Sequence, residues 1–253
     1  MLILFIWSKI LKTCKNMKNS SIENFFKPKT GQKRNIIENC NEPKTKKIKE
    51  QKHSFRTIFD NEKAQVFYYE NFLDKKDADI LFKELTNNIA WEQEKIVLFG
   101  NIVEPSRLTS SNGDVGLSYS YSGTKKISQG WNTALDIVRK QVEDVTGHKY
   151  NFALLNKYRD GSDSVGAHSD SEKDLNLEAG IASISLGAER DFLLHPKEKP
   201  TDAKKRKATK VILQSGSLLV MSGNCQKNYK HSVPKRPKIL DSRINITFRS
   251  VNT

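Results

Sequence analysis

The apolar and polar positions after residue 55 predict a folded region that opens with a strand and a helix. The segment FYYENF is typical of a strand, and Asp74 behind it is a common helix N-cap residue. Apolar residues then recur at helical spacing, which predicts an amphipathic helix. One face of this helix carries Ala78, Leu81, Phe82 and Leu85.

A second helix is predicted over about residues 130–146, and a run of strands follows it. The apolar stripe of the helix consists of Leu135, Val138, Val142 and Val145, and Gly147 ends it. The segments FALLNKYR, IASISLGA, DFLLHP, KVILQSG, SLLVMS and RINITFRS are short and separated by turn residues. Two early helices followed by many strands indicate an α+β protein with a β-sandwich or jelly-roll core supported on one side by helices.

The composition of the chain indicates which class of partner it binds. The chain has 253 residues, of which 36% are hydrophobic, so it can bury a real core. Its formal net charge of +14 favours a polyanion such as nucleic acid or an acidic membrane surface. Three scattered cysteines suggest neither disulfides nor a cysteine zinc site. The apolar run at the start is too short for a membrane span, and Met17 is an alternative start.

The first 54 residues are predicted to be a disordered basic tail, and residues 55–253 the folded domain. Nine Lys or Arg residues lie between 27 and 54, where large apolar residues are few. PKTKKIK at 43–49 is either a nuclear-import patch or merely solvated. Ahead of it, Ile22, Phe25 and Phe26 would lie on one side of a helical turn. Segment 19–26 therefore resembles the peptide motif that docks on the sliding clamp, with chance similarity as the alternative.

Two histidines and an aspartate are candidate metal ligands. His168 and Asp170 lie two positions apart, so an extended chain points both side chains to the same face. A lone His-x-Asp pair is more often an ordinary surface turn. His231, behind the apolar SLLVMS, completes the two-histidine, one-carboxylate set that binds non-haem Fe(II) with open positions.

The last strand carries an unusual number of cations on one face. Arg243 and Arg249 are separated by an even offset, so they share a face with Asn245 and Thr247. The other face is apolar and consists of Ile244, Ile246 and Phe248. Such a half-buried polar face needs an anion, for which a dicarboxylate ligand would serve. Internal salt bridges to Asp or Glu are the alternative.

Several segments together resemble one enzyme family. NKYRDGSDSVGAHSD, IASISLGAERDF, HSVP and RINITFR are similar, in order, to motifs of the AlkB family of Fe(II)- and 2-oxoglutarate-dependent dioxygenases, most of all its nuclear DNA-repair branch. The resemblance covers about residues 66–250 and implies a double-stranded β-helix. It implies that His168, Asp170 and His231 bind iron. The 2-oxoglutarate residues that it implies are Asn156, Tyr158, Arg243, Asn245, Thr247 and Arg249.

The same resemblance implies oxidative removal of N-methyl groups from DNA bases, with dioxygen consumed and succinate and formaldehyde released. A base inside a duplex must be flipped out for this. Leu98, Phe99 and Gly100 resemble a wedge at the tip of a hairpin that fills the gap, although a hairpin of the core is the plain alternative. Seven basic residues between 197 and 210 would contact phosphates, or simply be solvated.

Further residues would contact the flipped base. Tyr119 and Tyr121 alternate onto one face and suit stacking, although half-buried sheet aromatics are otherwise commoner. By family position, Tyr121 and His168 would sandwich the base, with Ser122 beside them. Glu172 would contact an exocyclic amino group, which favours 1-methyladenine and 3-methylcytosine over thymine-type lesions.

Two departures from the family pattern and three rival functions remain open. Ser171 and Lys230 stand where relatives often carry a carboxylate and an aromatic residue. The rivals are RNA demethylation, hydroxylation of a protein, and a non-catalytic nucleic-acid-binding or clamp-associated module. We expect a nuclear monomer that acts on duplex DNA and has no membrane partner.

Overall fold

The computed structural model describes residues 55–98, 100–121, 124–128, 130–198 and 207–252. The predictions for the basic tail, including the clamp-like segment with Ile22, Phe25 and Phe26, lie outside these ranges and stay predictions. Phe99, Ser122 and residues 199–206 of the basic loop also lie outside them.

Fifteen strands and three α-helices occur in the described ranges. The helices are α1 (Lys75–Asn88), α2 (Thr133–Thr146) and α3 (Cys225–Asn228). The first strands are β1 (Phe55–Asn61), β2 (Ala64–Tyr69), β3 (Ile96–Leu98), β4 (Asn101–Val103), β5 (Leu108–Gly113), β6 (Ser118–Tyr121), β7 (Thr124–Ile127) and β8 (Phe152–Tyr158). The later strands are β9 (Val165–His168), β10 (Ile181–Gly187), β11 (Arg190–Pro196), β12 (Thr209–Leu213), β13 (Ser217–Ser222), β14 (Tyr229–Val233) and β15 (Arg243–Arg249).

Two antiparallel sheets form the body of the protein. The larger sheet has the order β1-β2-β13-β10-β15-β8-β5, and the smaller has the order β12-β11-β14-β9. The apolar cluster between them takes side chains from both, including Tyr68, Ile181, Phe192, Leu194 and Leu219. This arrangement confirms the predicted α+β class with a jelly-roll core. Within the described residues, no helix has the length and apolar character needed to cross a membrane.

The two longer helices pack on the outer face of the larger sheet, as their apolar stripes predict. Asp74 caps α1 by accepting the Asp77 N–H at 2.8 Å. Asn132 caps α2 by accepting two N–H groups, so this helix begins at Thr133, three residues later than predicted. It ends at Gly147, which has φ +72°. The stripes of both helices are buried against the sheet, with Phe82 only partly so.

Strand β15 has the alternation that its sequence predicts. Ile244, Ile246 and Phe248 belong to the cluster beneath the helices. Arg243, Asn245, Thr247 and Arg249 therefore point to the other side of the larger sheet, where they line a pocket between the two sheets.

Candidate metal and cosubstrate site

The smaller sheet brings the three predicted metal ligands together. Strands β9 and β14 are neighbours, and His168 pairs directly with His231 in their register. Asp170 lies two residues beyond β9 and is 1% exposed. Its Oδ1 is 3.5 Å from His168 Nε2 and 3.9 Å from His231 Nε2. One ligand atom from each residue lies within 4.8 Å of the others, which is compact enough for a single ion.

Neighbouring groups hold these ligands in place. The Nδ1 of His168 lies 2.9 Å from the carbonyl oxygen of Gly166, which leaves Nε2 on the side of Asp170. The Phe192 ring stacks on His231 with a centroid distance of 5.3 Å. The backbone N–H of Asp170 donates to Gln226 Oε1 at 3.0 Å. Such outer contacts fix the orientation of metal ligands.

The protonation states of this cluster suit a divalent metal. Burial raises the pKa of Asp170, but the Arg249 guanidinium and the two histidines outweigh burial and hold that pKa well below its ordinary value. Burial lowers the pKa of His231 to about 4, so its imidazole is neutral at physiological pH. Asp170 Oδ1 is buried and has no hydrogen-bond partner among the described residues. An ionised carboxylate with a spare oxygen beside a neutral imidazole fits a metal ion.

The two arginines of β15 lie in the same pocket as the histidines. Arg249 Nη2 donates to Asp170 Oδ2 at 3.0 Å, so the salt-bridge alternative holds for this part of Arg249. Arg243 Nη2 donates to Ser185 Oγ at 2.9 Å. Within the described part of the chain, Nε and Nη1 of both arginines are buried without hydrogen-bond partners. These donors are available to an anion, which would relieve the cost of leaving them unpaired.

Comparison with known proteins identifies the family. The family model described as the 2OG-Fe(II) oxygenase superfamily matches residues 65–249. The chain belongs to this superfamily. It is a dioxygenase that uses Fe(II), 2-oxoglutarate and dioxygen, and the His168, Asp170 and His231 cluster is a candidate for its iron site. This finding confirms the predicted dioxygenase and contradicts the alternative of a non-catalytic module.

Individual relatives show that, within the oxygenase superfamily, the chain belongs to the AlkB family. DNA oxidative demethylase ALKBH2 of Bos taurus is 37% identical over 182 residues, which are 70% of this chain and 66% of the relative. The Mus musculus ALKBH2 is also 37% identical, over 70% of this chain and 76% of its own length. Alpha-ketoglutarate-dependent dioxygenase alkB homolog 3 of Homo sapiens is 35% identical over 74% of this chain and 66% of its length.

A solved structure supports the fold of the oxygenase. The structure of OsALKBH1 matches with a TM-score of 0.50 and 19% sequence identity, over 73% of this chain and 97% of that one. At this level of identity the match concerns the fold alone, and it agrees with the two-sheet core described above.

The remaining residues predicted to bind 2-oxoglutarate line the same pocket of the oxygenase. Tyr158 pairs with Arg243 across β8 and β15, and the Arg243 Cζ lies 5.0 Å from the centre of its ring. Asn245 Nδ2 donates to Ser183 Oγ at 2.7 Å, and Thr247 Oγ1 donates to Asn245 Oδ1 at 3.0 Å. These two residues thus also hold one another in position.

The structure describes the side chains of only some of the residues predicted to contact the base. Tyr119 is 1% exposed, its ring centroid is 4.4 Å from that of Phe152, and the Arg249 Cζ lies 5.9 Å from its ring centre. Burial raises the pKa of Tyr119. Its hydroxyl and Glu172 Oε2 are buried without hydrogen-bond partners in the described ranges. Tyr121 ends β6, but its side chain is not described.

The predicted wedge belongs to a hairpin outside the two main sheets. Among the described residues, strands β3 and β4 pair only with each other, with Leu98 opposite Asn101. Gly100 forms the turn with φ +79°. Ile102 on β4 is 73% exposed. All three residues of β4 are exposed, so this strand lies outside the core.

Three residues at the site have no signal in the sequence. Arg107 is 6% exposed and donates from Nε to Asn156 Oδ1 at 2.6 Å. Phe192 and Gln226, which support His231 and Asp170, lie in segments that read as a plain strand and a polar turn. All three are far in sequence from the groups they contact, so only the fold reveals them.

Proposed function

We propose that this oxygenase oxidatively demethylates N-alkylated bases in duplex DNA, with 1-methyladenine and 3-methylcytosine as substrates. One observation carries the proposal: a compact His-Asp-His cluster shares a buried pocket with two arginines that have unpaired donors. The names of the relatives add the substrate, because ALKBH2 of Bos taurus and Mus musculus is called a DNA oxidative demethylase.

One set of pocket residues would bind the metal, and another would bind its cosubstrate. His168, Asp170 and His231 would bind Fe(II) and leave three of six positions open. Arg243 and Arg249 would bind the carboxylates of 2-oxoglutarate. Around it would lie Asn156, Tyr158, Asn245 and Thr247. When bound, Fe(II) and 2-oxoglutarate would let dioxygen put one oxygen atom into a C–H bond of the methyl group and the other into the cosubstrate, which loses carbon dioxide and becomes succinate. The hydroxymethyl group would then leave the base as formaldehyde.

The base would be recognised by the unpaired groups beside the arginines. Glu172 Oε2 can accept a hydrogen bond from an exocyclic amino group, which adenine and cytosine have and thymine lacks. The Tyr119 hydroxyl can supply a second polar contact. Tyr121 and His168 would enclose the ring, with Ser122 beside them. These groups favour the two proposed lesions.

The duplex would be opened by the β3–β4 hairpin. β3 ends at Leu98 and β4 begins at Asn101, and a wedge formed by Leu98, Phe99 and Gly100 would replace the extruded base in the stack. The net charge of +14 and the basic loop at 197–210 would add phosphate contacts that do not read sequence. The basic patch at 43–49 would direct the protein to the nucleus.

A repair assay tests this function. Purified protein is incubated with Fe(II), 2-oxoglutarate and oligonucleotides that carry one methylated base, as duplex DNA, single-stranded DNA or RNA, and restored base and succinate are measured. We expect restoration in the duplex. Faster restoration in RNA would replace the proposed substrate with RNA.

The variant Asp170→Ala is the matched control. It should abolish base restoration and leave DNA binding largely intact, because Asp170 lies at the metal cluster and not on the basic surface. Retained turnover would count against the metal assignment.

We further propose that residues 19–26 dock on the sliding clamp. The double variant Phe25→Ala with Phe26→Ala should weaken clamp binding in a pull-down and leave repair of a short oligonucleotide unchanged. Equal clamp affinity in variant and wild type would exclude this motif.

A further inference from the structure

Arg190, the first residue of β11, is a buried cation that the roles proposed above do not use. It is 1% exposed. Its guanidinium donates to main-chain carbonyls, from Nη1 to Asp160 at 3.1 Å and from Nη2 to Asp163 at 2.7 Å and Pro234 at 2.8 Å. These bonds satisfy polar groups of the backbone that would otherwise be costly to bury.

The three carbonyls belong to segments next to the proposed site. Asp160 and Asp163 lie between β8, which ends at Tyr158, and β9, which carries His168. Pro234 directly follows β14, which carries His231. One side chain from the smaller sheet therefore fixes the ends of three strands that supply proposed site residues.

The guanidinium groups of Arg190 and Arg243 both lie against the ring of Tyr158. The Cζ atoms of the two arginines lie 5.4 Å and 5.0 Å from the ring centre. Arg243 and Tyr158 are paired neighbours in the larger sheet, whereas Arg190 comes from the smaller one. The ring of Tyr158 is thus attracted to one cation from each sheet.

Two buried cations this close are unfavourable by themselves. Burial lowers the pKa of Arg243, and the positive charge of Arg190 acts in the same direction. A residue needed only to fill space would avoid this repulsion, since apolar side chains replace buried charges at little or no loss of stability. The arrangement therefore points to a role in which Tyr158 and Arg243 must be held in a set position.

We propose that Arg190 is a positioning residue that holds Tyr158 against Arg243 in the geometry that binds 2-oxoglutarate. The inference rests on the proposed roles of Tyr158 and Arg243. Arg190 does not line the pocket that the histidines and Arg243 share. It acts through the Tyr158 ring and through the carbonyls that fix the neighbouring backbone. Its contact with the Tyr158 ring is direct, whereas the carbonyls of Asp163 and Pro234 lie five and three positions away from the metal-ligand candidates of the same segments. Loss of Arg190 should therefore weaken 2-oxoglutarate binding far more than metal binding.

Binding measurements on the full chain test this role without DNA. Dissociation constants for Mn(II), and for 2-oxoglutarate with the Mn(II)-loaded protein, are measured by calorimetry for wild type, Arg190→Met and Arg190→Lys. We expect Arg190→Met to weaken 2-oxoglutarate binding about tenfold or more and to leave Mn(II) binding nearly unchanged. Arg190→Lys keeps the positive charge but lacks the planar guanidinium that bonds the carbonyls. Its affinity for 2-oxoglutarate should therefore lie between those of wild type and Arg190→Met.

The variant Arg139→Gln is the control for a merely structural effect. Like Arg190, Arg139 donates to a main-chain carbonyl, that of Tyr150, but its side chain is 18% exposed and lies on α2, outside the pocket. It should lower stability and leave 2-oxoglutarate affinity unchanged. Millimolar guanidinium ion should restore 2-oxoglutarate binding to Arg190→Ala, which a general loss of packing would not allow.

Two outcomes would overturn the inference. The first is a folded Arg190→Met variant that binds 2-oxoglutarate with wild-type affinity. The second is an Arg139→Gln variant that loses as much 2-oxoglutarate affinity as Arg190→Met. If Arg190→Met does not fold, wild-type affinity in Arg190→Lys would have the same consequence. A wild-type chain that binds 2-oxoglutarate but repairs no DNA would refute the proposed substrate and leave the role of Arg190 standing.

Discussion

Losing either partner of the buried ion pair between Asp170 and Arg249 should be costly to the stability of the metal-free protein. Asp170 is 1% and Arg249 is 3% exposed, and Oδ2 lies 3.0 Å from Nη2. Coulomb's law at this distance and an effective dielectric constant of about 20 gives an attraction of about 5 kcal/mol. Much of it is offset by the loss of hydration, so the pair is expected to be worth little in net stability while each unpaired charge is costly.

A double-mutant cycle measures this coupling. Asp170→Asn leaves the Arg249 cation buried without its counter-ion, which should lower the free energy of unfolding by about 3–5 kcal/mol. Arg249→Met leaves the Asp170 carboxylate buried without its counter-ion, which should be costly as well. The double variant removes both charges, so it should be more stable than the sum of the single effects predicts. The expected coupling energy is at least about 2 kcal/mol.

The assay is urea unfolding of metal-free protein in the presence of a chelator, followed by tryptophan fluorescence. The exposed pair of Lys75 and Asp79, with side chains 88% and 54% exposed, provides a matched cycle. Its coupling should not exceed about 0.5 kcal/mol. A coupling between Asp170 and Arg249 as small as that of the exposed pair would refute the electrostatic reasoning.

Three further predictions concern residues around the cluster. Gln226→Leu removes the acceptor of the Asp170 N–H, so it should weaken Mn(II) binding about tenfold or more in a titration. An unchanged Mn(II) affinity would show that Gln226 does not support the metal ligands. Gly161→Ala would place Cβ 1.7 Å from the carbonyl oxygen of Arg236, so the melting temperature should fall sharply; a wild-type value would contradict this packing. The pKa of His231 is about 4 in the fold and about 6.5 in the unfolded chain. The unfolded chain binds more protons between these values, so metal-free stability should fall as the pH drops from 6.5 to 4, and His231→Gln should flatten that slope.

The sequence by itself determined the features that depend on neighbours along the chain. Helical periodicity and the caps at Asp74 and Gly147 locate the two helices, because 3.6 residues per turn and local hydrogen bonds define them. The two-residue period of an extended chain likewise places Arg243 and Arg249 on one face of β15. These features need no knowledge of which segments pair.

Other features were decided only by pairing between distant segments. Strand β5 has the polar sequence LTSSNG, which shows no strand alternation, yet it is held as a strand by its hydrogen bonds to β8. Residues such as Arg107 and Gln226 gain their roles from partners that lie 49 and 56 positions away. No local pattern encodes such contacts.

The metal cluster combines both kinds of information. The spacing of His168 and Asp170 indicates two ligands on one face, but it cannot say whether His231 meets them. The register of β14 against β9 sets His231 directly opposite His168. The ladder is irregular between His231 and Val233, so the strict two-residue alternation of a strand does not predict which residues face each other. The sequence thus indicates the ligand types, and the pairing of β9 with β14 in the smaller sheet brings them together.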